Sequence, residues 1–467
     1  MFEIDREHPE YRAKKATWKK YRDLYMGGQH FLDNAAEYLI QRNKEPMEVY
    51  SERLSRVFYE NYIGSIVDWY GATLFRREPL LAFEGSNDAG RRFFADFTDD
   101  CDLRGTGLTD FMRKRFIESL VLGSSYILVD FPKSRSHAGS RAEEDELGVS
   151  RAYLVGYSPE DITNWSYDEN GRLEWVVLKN ERMRKDRPED EWSIEVTWTY
   201  YDQENFRAYR QVKKPGQSDG SIELIDSGVH GLAKQRRVPL FQLELQDGLW
   251  LLNRAGSLQL EHFNKSNALS WALTMGLFAT PVIYSERKWN QIVGESYYIQ
   301  LGPEDRFGWT EPEGRVFEIA AQNLTRLQEE IYRVCYLMQL GGPLDKASQS
   351  GLSKVRDFSI TQEVLRSFGD SVKDLARRVL RAIEEAREDG LRVDVSGLDE
   401  FDIGDFTTEL SDAERLLSLG IESPTLKKQI FRKLALKYLC DVRQDIKDEI
   451  AAEIDGINPR PRSGPTS

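Results

Sequence analysis

With 467 residues, 40% of them hydrophobic and 30% charged, the chain is long enough for roughly two to four structural units and too apolar for a disordered one. Its formal net charge of −14 excludes a protein that grips nucleic acid over a broad basic face, since that binding rests on neutralising phosphates, but it does not exclude DNA passing by. Cys101, Cys335 and Cys440 stand far apart with no CxxC pair, which excludes a disulfide framework or zinc knuckle and predicts reduced, buried thiols.

The first residues are charged and lack an apolar signal core, and no run of ~18 apolar residues occurs, so neither secretion nor membrane spanning is expected and the protein is expected to be made and used in cytoplasm. The Asn-x-Ser/Thr triplets at Asn164, Asn264 and Asn323 then carry no glycosylation meaning. A helix is predicted over 9–26, opened by Pro9 and closed by Gly27-Gly28. From 47 to 74, Tyr50, Leu54, Val57, Phe58, Tyr62, Ile66, Trp69 and Leu74 recur at helical spacing and predict one long core helix. Another is predicted over 109–122, with Thr109 as N-cap and Gly123 at its end.

The period then changes to that of strands. Runs at 125–130, 153–157, 173–178, 193–200, 206–212, 222–225 and 238–245 predict a mostly antiparallel sheet, with Asn170-Gly171 as a hairpin turn before the third. The fold class is α+β. A helix follows over 251–277, on the order of 40 Å long, stopped by Pro281. A compact insertion comes next, rich in glycine, proline and aromatic residues, with strands expected at 296–301 and 316–319, and then a helix from Asn323 to about Leu340. Gly341-Gly342-Pro343 breaks that helix, and 345–351 reads as a polar, mobile loop. The longest helix is predicted over 353–388, with Val355, Phe358, Leu365, Phe368, Val372, Leu375, Val379 and Ile383 on one face and Gly369 as a bending point. A strand at 391–395 and charged helices over 411–455 complete the chain.

Signatures of catalysis fail their context. Gly216 to Gly220 spells GxSxG inside a polar loop after Pro215, where a nucleophile elbow needs a strand before and a helix after. Gly85 to Gly90 has phosphate-loop glycine spacing, yet Arg91-Arg92 stand where lysine and serine or threonine must act. Gly105 and Gly107 lack the third glycine of a dinucleotide fingerprint. The histidines at 8, 30, 137, 230 and 262 form no metal spacing, and His262 reads as a surface or packing residue. The residues thus support no catalytic site, metal or cofactor, without excluding an enzyme. Two other classes stay open: a cytoplasmic carboxylate-based hydrolase, and an oligomeric scaffold or adaptor.

Several segments resemble the portal (head-tail connector) family of tailed bacteriophages: 59–79 (YENYIGSIVDWYGATLFRREP), 123–132 (GSSYILVDFP), 157–165 (YSPEDITNW), 171–178 (GRLEWVVL), 260–283 with its HFNKSNALSWAL core, 351–357 (GLSKVRD), and 401–426 with GIESPTL. The order of elements resembles that family's too. The resemblance implies a wing at 1–250, stem helices at 251–279 and 322–341 around a clip at 280–321, a tunnel loop at 342–352, a long bent helix and return strand at 353–410, and a crown-like region and tail at 411–467.

It further implies a dodecameric ring in the virion, assembled in host cytoplasm, that conducts double-stranded DNA non-specifically. Its implied partners are a terminase motor, the major capsid protein and scaffold, and head-completion or tail adaptor proteins, with no membrane. Lys346, Ser348, Gln349, Ser350 and Lys354 would line the channel constriction. Gly341, Gly342, Pro343 and Gly369 would act as hinges, and Trp289, Tyr297, Tyr298 and Trp309 would serve clip contacts. The plainer reading of the two lysines is solvent-exposed charge.

Overall fold

The structure, a computed structural model, describes residues 3–85, 87–132, 151–185, 187–213, 221–276, 280–284, 304, 306–310, 314–337, 351–399, 406–419, 423–438 and a few positions after 445. It is α+β and divides into two compact units, one of Met1–Lys20, Val67–Trp250 and Ser359–Ser467, the other of Tyr21–Ile66 and Leu251–Phe358.

The N-terminal helices are α1 (Pro9–Met26), α2 (Gly28–Asp33), α3 (Met47–Ser55) and α4 (Tyr62–Leu74). The single helix expected over 47–74 is thus two, broken at 56–61. Its apolar spacing is real, but side chains supply the broken turn with other partners. Asn61 accepts from the Gly64 N–H at 2.8 Å and donates to the Tyr25 carbonyl at 2.9 Å, while the Tyr59 hydroxyl donates to the Leu24 carbonyl at 2.9 Å. A Cβ at Gly64 would come within 2.5 Å of the Asn61 amide, so this cap needs glycine there.

In the first unit, β1 (Leu80–Glu84) and α5 (Asp88–Asp99) precede α6 (Leu108–Leu122). Neither β1 nor α5 was among the elements expected. Of the Gly85–Gly90 stretch, Asp88 to Gly90 form the first turn of α5 and Asn87 is its N-cap, accepting from the N–H groups of Ala89 and Gly90, while Arg91 donates to the carbonyls of Phe83 and Gly85. α6 starts just before the expected Thr109, with Gly107 as N-cap, and ends at Gly123 in the left-handed region (φ 87°).

Next come β2 (Ser124–Asp130), β3 (Tyr153–Tyr157), β4 (Ile162–Tyr167), β5 (Leu173–Arg184), β6 (Ser193–Tyr201), β7 (Asn205–Lys213), β8 (Glu223–Val229) and β9 (Leu240–Glu244). The expected antiparallel sheet is two: a meander ordered β4-β5-β6-β7-β8, and a three-stranded sheet ordered β3-β2-β9. Alternation along β5 buries both faces of the meander near its start. Val176 and Leu178 join Ile162, Tyr201, Phe206 and Leu240 in one core, while Val177 joins Ile4, Val196 and Trp198 in another.

The second unit contains α7 (Leu251–Gly276), β10 (Thr280–Tyr284), β11 (Arg306–Thr310) and α8 (Gly314–Val334). The run 316–319, expected as a strand, lies in the first turns of α8, so the helix expected from Asn323 begins at Gly314. Valine and isoleucine there favour strand locally, but the i, i+3, i+4 series Phe317, Ala320, Leu324, Leu327 and Ile331 faces inward along a helix. The strand expected at 296–301 lies outside the described residues.

The long helix α9 (Gly351–Arg387) begins two residues before its expected start, within the segment read as loop. Its stripe of Phe368, Val372, Leu375, Val379 and Ile383 is buried as expected, with Phe368 edge-on to Tyr70 at 5.5 Å and to Phe116 at 5.2 Å. β12 (Arg392–Ser396) pairs antiparallel with β1, and α10 (Phe406–Ser418) and α11 (Pro424–Tyr438) follow.

Candidate functional site

The second unit holds the most distinctive arrangement, a helix pair around a strand pair. Arg254 lies over the Tyr336 ring at 5.0 Å and Lys265 donates to the Asn323 side chain at 3.0 Å, so α7 and α8 run antiparallel. Beyond Lys265 and Asn323 both helices continue for about ten residues, on the order of 15 Å, towards the β10–β11 ladder, in which Thr280 faces Thr310 and Tyr284 faces Arg306.

One end of the pair is rooted firmly. Leu251, Leu252, Ala255 and Phe263 are buried, and the Phe263 ring stands edge-on to Phe31 at 5.0 Å and Tyr59 at 6.1 Å. Three carboxamides on α7 each bind both a main-chain N–H and a carbonyl. Gln259 serves Ile63 and Glu60, Asn264 serves Ile40 and Tyr38, and Asn267 serves Phe58 on both sides at 3.1 and 2.9 Å. These clamps satisfy the main chain where helix is interrupted. The sequence reading passed over them; the available signal was amides recurring among apolar positions of a buried helix. Towards the ladder the surface changes, and Leu273, Val316, Ile319 and Tyr284 are exposed.

His262, read as a surface or packing residue, is buried against the Tyr62 ring edge at 5.0 Å. Its Nδ1 is 3.6 Å from the Glu60 carboxylate and has no hydrogen-bond partner among the described residues. Burial pushes its pKa down, and burial does the same to His230, which bonds the Asp202 carbonyl. A base whose folded-state pKa is depressed binds its proton first in the unfolded chain. The resulting stability is full above the ordinary value of 6.5 and is lost as pH falls from there towards the folded value. Thermal unfolding midpoints should therefore fall as pH drops below about 6.5, and His262→Gln should flatten that slope. An unchanged slope would show that this histidine does not contribute.

Of the residues singled out by sequence, Trp309 lies on β11 opposite Pro281, and Lys354 lies in the first turn of α9; their side chains are not described. Gly369 is inside α9, where a Cβ would meet the Leu398 carbonyl oxygen at 2.1 Å. Trp289, Tyr297, Tyr298, Gly341, Gly342, Pro343, Lys346, Ser348, Gln349 and Ser350 lie outside the described residues, as do Gly216 to Gly220 and Cys440. Cys101 and Cys335 are buried and in no disulfide among the described residues, and burial pushes both thiols up to about 12. Among the described residues no group of histidine, cysteine and carboxylate side chains could hold a metal, and no helix is long and apolar enough to cross a membrane.

No protein-family model matches the chain, and no curated protein matches it. Solved structures similar to it include a chain from the neck of an empty gene transfer agent particle computed with C6 symmetry, at 14% identity and a TM-score of 0.45, covering 78% of this chain and 88% of that one. Another is a chain from the virion of a native gene transfer agent particle, at 12% identity and a TM-score of 0.42, covering 83% of this chain and 94% of that one.

Proposed function

We propose that the chain is a portal-type subunit, copies of which close a ring around an axis through which DNA passes. The observation that carries this reading is the antiparallel α7–α8 pair, clamped at one end and bearing exposed Leu273, Val316 and Ile319 towards the β10–β11 ladder. Single exposed aliphatics are ordinary, but a helix pair that carries several beyond its anchored end offers neighbouring copies a surface to pack on. On this reading the β10–β11 region, with Trp289, Tyr297, Tyr298 and Trp309, docks a terminase motor during packaging and head-completion or tail adaptor proteins afterwards. The major capsid protein and scaffold hold the ring at its vertex in the virion. The role is geometric, with no catalytic residue or cofactor.

The net charge of −14 suits a channel that lets a duplex slide, with Lys346 and Lys354 as transient phosphate contacts and Ser348, Gln349 and Ser350 yielding as it passes. Gly341, Gly342, Pro343 and Gly369 would then absorb the movement. Native mass spectrometry with end-on electron microscopy tests the assembly. A closed ring, twelve-fold on this reading, with an opening wide enough for a duplex is expected; monomer or dimer alone at high concentration, with and without scaffold, would overturn it. Lys346→Ala should leave the ring intact and change DNA retention or translocation. Unchanged packaging and retention would remove the loop from the channel.

A further inference from the structure

We propose that the cleft between β4 and β9 of the first unit binds an extended acidic peptide segment of a partner protein, which adds as a strand to the free edge of β9 and sets its carboxylates on Arg237 and Arg172.

Among the described residues β9 ends its sheet, bonded to β2 on one side only. The Val129 N–H donates to the Pro239 carbonyl and the Leu245 N–H to the Gly123 carbonyl, which fixes the hydrogen-bonded positions of β9 as the odd ones. The N–H and carbonyl groups of Leu240, Gln242 and Glu244 therefore point away from β2. Arg378 confirms the direction by donating to the Gln242 carbonyl at 2.8 Å; that oxygen keeps a second lone pair for the N–H of an added strand.

That edge opens on a cavity of about 740 Å³ whose wall includes Tyr126, Trp165, Tyr167, Leu240 and Gln242. A second cavity of about 320 Å³ shares Tyr126, Trp165, Tyr167 and Gln242 and reaches Glu244, Glu10 and Lys14, so the peptide's carboxylates belong at the first cavity and its apolar residues at the second. Together they follow β9 from Leu240 to Glu244, the course of a strand.

The charge on the wall is unbalanced. Arg172, Arg236, Arg237 and Arg378 face the first cavity against Asp168 and Glu385, and Arg236 is paired outside it with Glu204 at 3.9 Å, which leaves three arginines against two carboxylates. Asp168 is already engaged, accepting from the N–H groups of Asn170 and Arg172 at 2.8 Å each. Arg237 lies over the Phe241 ring at 4.4 Å, half-buried; Glu385 acts on it through space, but no described acceptor hydrogen-bonds its guanidinium. Holding a guanidinium partly dry without an acceptor is costly, and a carboxylate from outside would relieve it. A nucleotide could use the arginines and aromatic rings but would leave the edge of β9 unpaired; a peptide strand uses both.

The test is fluorescence anisotropy of the full chain with a labelled peptide of alternating aspartate and valine. Binding is expected, weakened roughly tenfold or more by Arg237→Glu and by Arg172→Glu, the latter in an exposed turn where folding is not at stake. Hydrogen exchange at Gln242 and Glu244 should slow when the peptide is added. The proposal is overturned by equal affinity in both variants, by unchanged exchange at Gln242, or by equal binding of an alternating lysine and valine peptide. It is also overturned if ATP or inorganic phosphate binds this cleft while the peptide does not.

Discussion

Phe263→Ala should destabilise the protein by about 3–5 kcal/mol, a large part of the ~5–15 kcal/mol that holds a typical domain together. The ring is 1% exposed and meets two aromatic neighbours edge-on, so truncation loses the transfer of a whole ring and leaves a cavity that Phe31 and Tyr59, themselves stacked at 3.9 Å, cannot collapse to fill. Val316→Ala, at a position 63% exposed on α8, should change the isolated chain by less than about 0.5 kcal/mol. Denaturant unfolding of the monomer separates the two. If Val316→Ala instead weakens ring closure while leaving monomer unfolding unchanged, its side chain belongs to a contact between copies. A loss under about 1 kcal/mol for Phe263→Ala would mean that the clamped end of the helix pair is packed loosely.

The second large effect runs against helix propensity. Gly369 sits inside α9, where alanine is favoured over glycine by about 1 kcal/mol. Its missing Cβ would nevertheless fall 2.1 Å from the Leu398 carbonyl oxygen and 3.2 Å from its carbonyl carbon, and these main-chain atoms cannot rotate aside. Leu398 is itself buried and held at φ 55°, just after Gly397, so the loop has little freedom to withdraw. Gly369→Ala should therefore lose roughly 1–3 kcal/mol, the cost of overpacking, read from the urea midpoint. A more stable variant would mean that the glycine serves bending alone and that the contact gives way easily.

Much of this architecture is legible in the sequence because its signals are local and periodic. The stripe from Phe368 to Ile383 needs only a 3.6-residue period, α6 ends at Gly123 because glycine takes the left-handed turn freely, and the Asn170-Gly171 hairpin follows from turn chemistry. β5 to β8 of the meander are legible for the same reason, whereas β4 was not among the expected strands. Only the tertiary structure decided the rest. The break at 56–61 depends on Asn61, Gln259 and Asn267, two of which lie about two hundred residues away along the chain, and no periodicity records a hydrogen bond to a distant amide. The pairing of β1 with β12 is equally non-local. At 316–319 local strand preference lost to burial of one helical face, because a fraction of a kcal/mol per residue in propensity is outweighed by burying Leu327 and Ile331. The free edge of β9 was also invisible in the sequence, since which strand ends a sheet is settled by what packs beside it and not by the residues of the strand.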